Sequence, residues 1–116
     1  MNKVLNFDAL ADRFLDVLCD ETEAKLIKIN LTDYMIECSD GVMQLDLTIG
    51  DKTSQFVINR NSASQKIWYS SPVSKPKYYE YNDFNGSVLF VESVLKTELV
   101  NDFTKDLKII INILDL

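Results

Sequence analysis

The sequence predicts a two-layer α-β sandwich of the α+β class, in which two helices pack on one face of an antiparallel sheet. Apolar residues recur at helical spacing near the start of the chain, short alternating segments fill the middle, and helical spacing returns toward the end. Short connections between the strands imply hairpins, and therefore antiparallel pairing. Helices at both ends of such a run must cover one face of the sheet, so we expect the other face to be polar and exposed to water.

The first helix is predicted from Asn6 to about Glu23. Asn6 is a suitable N-cap, because its side chain can accept a hydrogen bond from the first turn. One apolar face follows from residues at three- and four-residue spacing, namely Phe7, Leu10, Ala11, Phe14, Leu15 and Leu18.

Five strands are predicted after this helix. The turn sequences "SDG", "GDK" and "NDFNG" and the prolines at 72 and 76 separate them. The predicted strands are Asp33–Ser39, Val42–Ile49, Gln55–Arg60, Lys66–Ser70 and Tyr78–Tyr81. In the second strand the alternation places Met43, Leu45, Leu47 and Ile49 on one face and Gln44, Asp46 and Thr48 on the other.

The second helix is predicted from about Leu89 to Leu107. Its predicted apolar face consists of Val91, Val94, Leu95, Leu99 and Phe103. The tail "IIINILDL" is apolar for a chain end, so we expect it to pack back over the core.

The composition suits one soluble globular domain over residues 1–116, with 47% hydrophobic and 26% charged residues. No apolar run approaches the roughly 18 residues that a membrane span needs. Histidine is absent, which removes the usual general base and the commonest zinc and iron ligand. Cys19 and Cys38 form no CxxC pair, and two buried thiols in a reducing compartment are favoured over a disulfide between them.

Acidic residues form a stripe on the first helix. Asp8, Asp12, Asp16 and Asp20 lie four apart, Glu21 and Glu23 extend the series, and Asp33 can join it from the first strand. Carboxylates at this spacing repel one another by a few tenths of a kcal/mol per pair, so the stripe works against local stability. Spacing alone favours an ordinary solvated helix face. The alternatives are a docking face for a basic partner, or an open oxygen-ligand surface that binds a cation such as Fe²⁺ weakly and exchangeably.

A basic island interrupts this acidic chain, whose net charge is −6. Residues 55–77 contain Arg60, Lys66, Lys75 and Lys77 and no acid. An acidic chain is a poor ligand for nucleic acid, but a basic island can meet an acidic protein surface.

Alternation also bears on Trp68, the only tryptophan. If Phe56 and Ile58 face the helices, then Ile67 and Tyr69 form the matching inner pair, and Trp68 shares the outer face with Asn59. A core position for a tryptophan in a strand remains the alternative. An exposed tryptophan beside Asn59, Arg60 and Lys66 has the composition of a protein-binding hot spot.

These segments resemble the frataxin family. "FVINR", "QKIWYSSP" and "KPKYYEY" are similar to the family pattern VIN(K/R), QIWLSSP and GPKRYDW. The likeness extends to the acidic first helix, the "DGV" turn and "ESVLKTEL", which it assigns to the second helix, and it covers residues 7 to 107. Serine-proline after the tryptophan resembles eukaryotic frataxins more than bacterial ones, and the family fold is the same α-β sandwich.

The resemblance implies an iron-binding accessory protein of iron–sulfur cluster assembly. It implies weak binding of Fe²⁺, with Fe³⁺ as the alternative ion, at a ridge of Asp8, Asp12, Asp16, Asp20, Glu23 and Asp33. It also implies docking on a cysteine desulfurase and its scaffold protein through Asn59, Arg60, Lys66 and Trp68. The expected protein is a monomer, with a metal-driven oligomer as the alternative. Its expected compartment is the mitochondrial matrix or a reduced mitochondrion-related organelle, or the cytoplasm if the chain is bacterial. Weak ferroxidase or iron-storage activity and a metal-independent interaction module are the alternatives.

The sequence departs from the family pattern around the tryptophan. Lys66 stands where the family has glutamine, and the other departures are Asn61, Lys75, Tyr78 and Tyr81. These changes affect the polar contacts expected of the docking surface. The turn after Tyr81 is also short, which predicts a vestigial last strand.

Overall fold

Two helices and a six-stranded sheet make up the fold in the computed structural model, which describes residues 6–84 and 87–112. The elements are α1 Phe7–Lys28, β1 Tyr34–Ser39, β2 Val42–Ile49, β3 Lys52–Asn61, β4 Lys66–Ser70, β5 Lys77–Phe84, β6 Ser87–Glu92 and α2 Leu99–Ile111. Each strand pairs antiparallel with the next one along the chain, in the order β1-β2-β3-β4-β5-β6. The predicted α-β sandwich is confirmed.

The core lies between the helices and the inner face of the sheet. Aromatic contacts join the two layers: Phe14 of α1 lies against Phe90 of β6 at 4.8 Å between ring centroids, and Phe56 of β3 meets Phe103 of α2 at 5.6 Å. The predicted inner residues Phe56, Ile58, Ile67 and Tyr69 are all buried. Ile49 is not, because it lies at the β2–β3 turn beyond the helices and is 40% exposed.

Helix α1 begins as predicted and continues past Glu23. The Asn6 side chain accepts a hydrogen bond from the backbone of Ala9 at 2.8 Å, so it is the N-cap. The helix reaches Lys28 because Leu26 adds one more buried residue to its apolar face. It ends in a Schellman motif, in which Asn30 has a φ of 62° and the N–H of Leu31 donates to the Leu26 carbonyl at 3.0 Å.

The predicted start of the second helix was wrong, and so was the expectation of a vestigial last strand. Residues 87–92 form β6, where Phe90 pairs with Tyr81 and is buried. The Glu92 side chain then accepts hydrogen bonds from the backbones of Val94 and Leu95, which are 79% and 68% exposed. These two residues therefore lie in a turn and not on an apolar helix face. Most of the "ESVLKTEL" segment likewise precedes α2 and is not helical.

Helix α2 itself begins at Leu99, after the N-cap Glu98. Leu99, Phe103 and Leu107 form its buried face. The predicted packing of the tail is partly observed, because Ile110 and Ile111 lie against the core while Ile109 is 54% exposed. The rest of that prediction falls on residues 113–116, outside the described residues.

Candidate functional site

We use the name acidic ridge for the predicted carboxylates: Asp8, Asp12, Asp16, Asp20 and Glu23, which lie on α1, and Asp33, which directly precedes β1. Its carboxylates are exposed or partly exposed, so the apolar face of α1 turns inward and leaves them at the surface. At the C-terminal end of the ridge, the Tyr34 hydroxyl donates to Glu23 at 3.0 Å. This contact brings the start of β1 against the ridge.

The N-terminal half of the ridge is paired with a cation. Arg60 Nε donates to Asp12 Oδ1 at 2.7 Å, and Arg60 Nη1 lies 3.4 Å from Asp8 Oδ2. The Ser62 hydroxyl donates to Asp8 at 2.7 Å and accepts from Arg60 at 3.0 Å. The carboxylate of Asp12 contributes most to raising the pKa of Arg60.

This pairing corrects the position of Arg60. Arg60 is predicted to lie near the exposed Trp68 and to bind a partner together with Asn59, Lys66 and Trp68. Strand alternation instead turns Arg60 toward α1, on the same side as Phe56 and Ile58, and its side chain contacts the ridge. The long-range contact could not be read from the sequence, although the parity of β3 places Arg60 on the helix side.

A shallow cleft of about 140 Å³ lies beside the middle of the ridge. Its lining residues come from α1 and the β1–β2 turn: Asp12, Leu15, Asp16, Cys38, Ser39, Asp40 and Gly41. Cys38 Sγ donates to Asp16 Oδ1 at 3.5 Å, so a thiol contacts the ridge.

Both cysteines of the described chain are free thiols, and they are half-buried where buried thiols were predicted. Burial, together with the neighbouring Cys19 and Asp16, raises the pKa of Cys38 to about 12. Burial is also the main cause that raises the pKa of Cys19. Neither thiol is therefore a reactive thiolate at neutral pH.

The ridge does not enclose a metal ion. Among the residues that the structure describes, no three carboxylates or thiols converge closely enough to hold one. Ridge carboxylates can still offer oxygen ligands to a hydrated cation one or two at a time. This arrangement fits a hard or borderline cation such as Fe²⁺ at an open surface.

A second candidate surface lies on the other face of the sheet. Trp68 is partly exposed there, and its cross-strand partners are Asn59 on β3 and Tyr78 on β5. Lys66 occupies the same face of β4 and lies 3.4 Å from Glu80. We call Asn59, Lys66, Trp68 and Tyr78 the outer patch.

Tyr78 is the member of the outer patch that sequence analysis treated only as a departure from the family pattern. It is 46% exposed, while its neighbour Tyr79 is buried. The parity of β5 would have assigned Tyr78 to the outer face, because Tyr79 is the better core residue. An aromatic ring beside Trp68 enlarges the apolar surface available to a partner.

The segment that follows Trp68 has a structural role. The hydroxyls of Tyr69, Ser71 and Ser74 all donate to Asp106 of α2, at 2.7, 2.9 and 2.9 Å. Tyr79 likewise donates to Asp102 at 2.7 Å. Ser71 and Ser74, which flank Pro72 and Val73, therefore help to hold α2 against the sheet. The sequence alone did not indicate this role.

Neither described helix combines the length and apolar character that crossing a membrane requires.

Comparison with known proteins gives consistent matches. The model of the family described as "Frataxin-like domain" matches residues 2–112. The chain is 42% identical over 78 residues to a mitochondrial frataxin homolog of Schizosaccharomyces pombe, covering 67% of this chain and 48% of that protein. It is 36% identical over 85 residues to the mitochondrial frataxin homolog of Drosophila melanogaster, covering 71% and 41%. The chain thus spans less than half the length of these curated relatives.

Solved structures agree with the fold. The trimeric frataxin of Saccharomyces cerevisiae, complexed with ferrous iron, superposes with a TM-score of 0.70 at 27% identity, over 97% of this chain and 92% of that one. A frataxin from Psychromonas ingrahamii superposes with a TM-score of 0.64 at 17% identity, over 90% of each chain. The second likeness concerns the fold alone.

Proposed function

The chain belongs to the frataxin family, and from this premise we propose that it is an iron-binding accessory protein of iron–sulfur cluster assembly. In this proposal it binds ferrous iron weakly at the acidic ridge and docks through the outer patch on a cysteine desulfurase and its scaffold protein, where it modulates sulfur transfer. Its compartment would be the mitochondrion, by analogy with relatives described as mitochondrial.

One observation carries the proposal: the two candidate surfaces lie on opposite sides of the sheet. The acidic ridge belongs to the helix layer, whereas Trp68 and its neighbours project from the uncovered face. A partner on the outer patch would therefore leave the ridge open to a metal ion. A protein that brings iron to an assembly site, or senses it there, needs two surfaces of this kind.

The ridge supports the iron half of the proposal through its chemistry. Carboxylate oxygens suit Fe²⁺, and Fe³⁺ is the alternative ion. The open geometry supports weak, exchangeable binding, which an iron donor needs more than a storage protein does. Ferrous iron is also present in the complex of the related S. cerevisiae protein.

The outer patch supports the docking half. Trp68 and Tyr78 supply aromatic area, and Lys66 and Asn59 supply polar contacts around it, which is the composition of an energetic hot spot. Lys66 lies within ion-pair distance of Glu80, so an acidic partner would have to compete with that carboxylate.

A capture experiment tests docking. Immobilised cysteine desulfurase and scaffold would be offered the wild-type chain, Trp68→Ala, and Met35→Ala as a matched control. Met35 is also an exposed apolar residue of the outer face, but it lies on β1 at the sheet edge. We expect Trp68→Ala to weaken capture by at least about tenfold and Met35→Ala to leave it unchanged. Equal capture of all three chains would remove the docking proposal.

Anaerobic calorimetric titration with Fe²⁺ tests the ridge. We expect that replacing Asp8, Asp12, Asp16 and Asp20 with Asn abolishes measurable binding, because the amides carry no charge. A matched control changes Glu37, Asp46, Asp51 and Glu80, which lie outside the ridge, to their amides. Unchanged iron binding in the ridge variant would refute the metal proposal.

A ferroxidase or iron-storage function is the second candidate, favoured by the trimeric state of the S. cerevisiae relative with ferrous iron. It predicts oxygen-dependent consumption of Fe²⁺ and metal-driven oligomers, measured by oxygen uptake and size-exclusion chromatography. A purified protein that stays monomeric and consumes no oxygen would exclude it.

A metal-independent interaction module is the third candidate. The Arg60 pairing favours it, because a structural ion pair accounts for part of the acidic ridge without any metal. It predicts that Trp68→Ala abolishes partner binding while iron has no effect on it.

A further inference from the structure

The acidic ridge contains its own counter-cation. The guanidinium of Arg60 reaches from β3 to α1, where it contacts Asp12 at 2.7 Å and Asp8 at 3.4 Å. The Arg60 side chain is 21% exposed, so most of it is covered by protein. Asp8 is held further by the hydroxyl of Ser62 at 2.7 Å.

The β1–β2 turn fits closely against this arginine. The backbone N–H of Arg60 donates to the Gly41 carbonyl at 2.8 Å, which fixes the strand at that point. A β-carbon on Gly41 would clash with Nε, Cγ and Cδ of Arg60, so glycine leaves the space through which that side chain passes to the ridge. The Arg60 side chain is therefore enclosed between the β1–β2 turn and α1.

The pairing distinguishes Asp8 and Asp12 from the other carboxylates of the ridge. The single positive charge of Arg60 offsets only part of the negative charge of Asp8 and Asp12, whereas Asp16 and Asp20 have no Lys or Arg within ion-pair distance in the part of the chain that the structure describes. Asp16 instead accepts from the uncharged thiol of Cys38. A cation that approaches the ridge therefore meets a competing fixed positive charge at Asp8 and Asp12 but not at Asp16 and Asp20.

We infer that Arg60 is an internal competitor for the cation, so that Asp8 and Asp12 become available to a metal ion only when the guanidinium leaves them. This inference rests on the proposed iron binding at the ridge. Arg60 thereby lowers the affinity of the ridge for a cation and directs a metal ion toward Asp16 and Asp20. A fixed guanidinium also carries a permanent charge, so ordinary changes of pH do not relieve the competition.

Anaerobic titration with Fe²⁺ compares Arg60→Gln with Lys105→Gln. Both variants lose one positive charge, but Lys105 is exposed on α2, away from the ridge. We expect Arg60→Gln to bind Fe²⁺ about fivefold more tightly than the wild type, and Lys105→Gln to stay within about twofold. Arg60→Lys, which keeps the charge, should remain close to the wild type. Far-ultraviolet circular dichroism checks that every variant is folded.

The location of the gain is tested by two double variants. In the wild-type background, Asp16→Asn with Asp20→Asn should weaken Fe²⁺ binding more than Asp8→Asn with Asp12→Asn does. In the Arg60→Gln background, Asp8→Asn with Asp12→Asn should cancel the gain in Fe²⁺ affinity.

The outcomes separate this inference from the proposed function. If the wild type binds Fe²⁺ and the fourfold Asn variant does not, but Arg60→Gln gains no more than Lys105→Gln, the inference alone is overturned. It is also overturned if the gain survives the loss of Asp8 and Asp12. If neither the wild type nor Arg60→Gln binds Fe²⁺, the proposed iron site fails, and the inference fails with it.

Discussion

At the scale of single residues, Asp106 shows how a carboxylate can hold two layers together. It is 6% exposed, and the hydroxyls of Tyr69, Ser71 and Ser74 donate to it. Burial and the hydrogen bond to this carboxylate raise the pKa of Tyr69, so the phenol stays protonated and remains a donor. A buried charge is tolerated here because several donors replace its lost hydration.

We predict that Asp106→Ala lowers the free energy of unfolding by about 3 kcal/mol, because it leaves the hydroxyl of the buried Tyr69 and at least one of the hydroxyls of Ser71 and Ser74 without an acceptor. Urea denaturation measures this change. Lys105→Ala, next to it on the exposed side of α2, should change stability by less than about 0.5 kcal/mol. A similar small loss in both variants would contradict the assigned role.

The thiol of Cys38 provides a pH-dependent prediction. Its pKa is raised from 9.0 to about 12, mainly by burial. Because the Cys38 thiol has a higher pKa in the folded than in the unfolded chain, the folded chain holds this proton more tightly. Its contribution to the free energy of unfolding is therefore complete below about pH 9 and is lost as pH rises toward 12.

We therefore expect alkylation of the folded protein by iodoacetamide to keep accelerating up to pH 10, because only the thiolate reacts. The urea-unfolded chain is the control, and its alkylation rate should level off above the ordinary thiol pKa. Mass spectrometry measures both rates. A folded-state rate that levels off at pH 9 would contradict the raised pKa.

At the scale of elements, the β1–β2 hairpin connects the sheet to the ridge. Ser39 pairs with Val42, so Asp40 and Gly41 form a two-residue turn, and both have positive φ, 52° and 76°. This is the pattern of a type I′ turn, whose twist suits a hairpin. The turn also borders the path of Arg60 to the ridge.

Gly50 offers a matched control for Gly41, because its φ is +67° but a β-carbon there would meet nothing within 4 Å. We predict that Gly50→Ala costs about 1 kcal/mol for the backbone alone, and that Gly41→Ala costs clearly more because it also displaces Arg60. Thermal unfolding of the two variants measures the difference. Equal costs would show that Arg60 tolerates the added methyl group.

The second half of the chain shows where prediction from periodicity fails. Val91, Val94, Leu95 and Leu99 fit helical spacing, yet the chain first forms β6 and then a turn. Phe90 decides between the two structures, because pairing with Tyr81 buries its ring against Phe14. A short apolar segment can fit both the helical and the strand period, and only pairing with a neighbouring strand decides which structure forms.

At the scale of the whole molecule, the sheet separates the ridge from the outer patch. Surfaces that share no contacts are expected to behave additively. We predict that Trp68→Ala binds Fe²⁺ with wild-type affinity, as measured by anaerobic calorimetry, although it loses its partner. In the same way, the fourfold Asn variant of the ridge should be captured by the partner as well as the wild type in the absence of iron.

A change of more than about twofold in the iron affinity of Trp68→Ala would contradict this independence. It would mean that the sheet transmits a change from one face to the other.

Much of the candidate site follows from local sequence. The four-residue spacing of the aspartates places them on one helix face, and the alternation of β3 and β4 places Asn59 and Trp68 outside. The partners of Arg60 and Asp106 do not follow from local sequence in this way. Their contacts join residues 48 and 35 positions apart, and no period in the chain encodes a partner at that distance.

The sequence by itself determined the fold class, the first helix with its cap, the inner and outer faces of the central strands, and the resemblance to the frataxin family. These features depend on short-range periodicity, which is a property of neighbouring residues. The tertiary structure alone decided that β6 is a strand, that Asp106 accepts hydrogen bonds from three hydroxyls, and that Arg60 pairs with Asp8 and Asp12 of the ridge. The physical reason is that burial and ion pairing depend on which distant side chains strand register brings together.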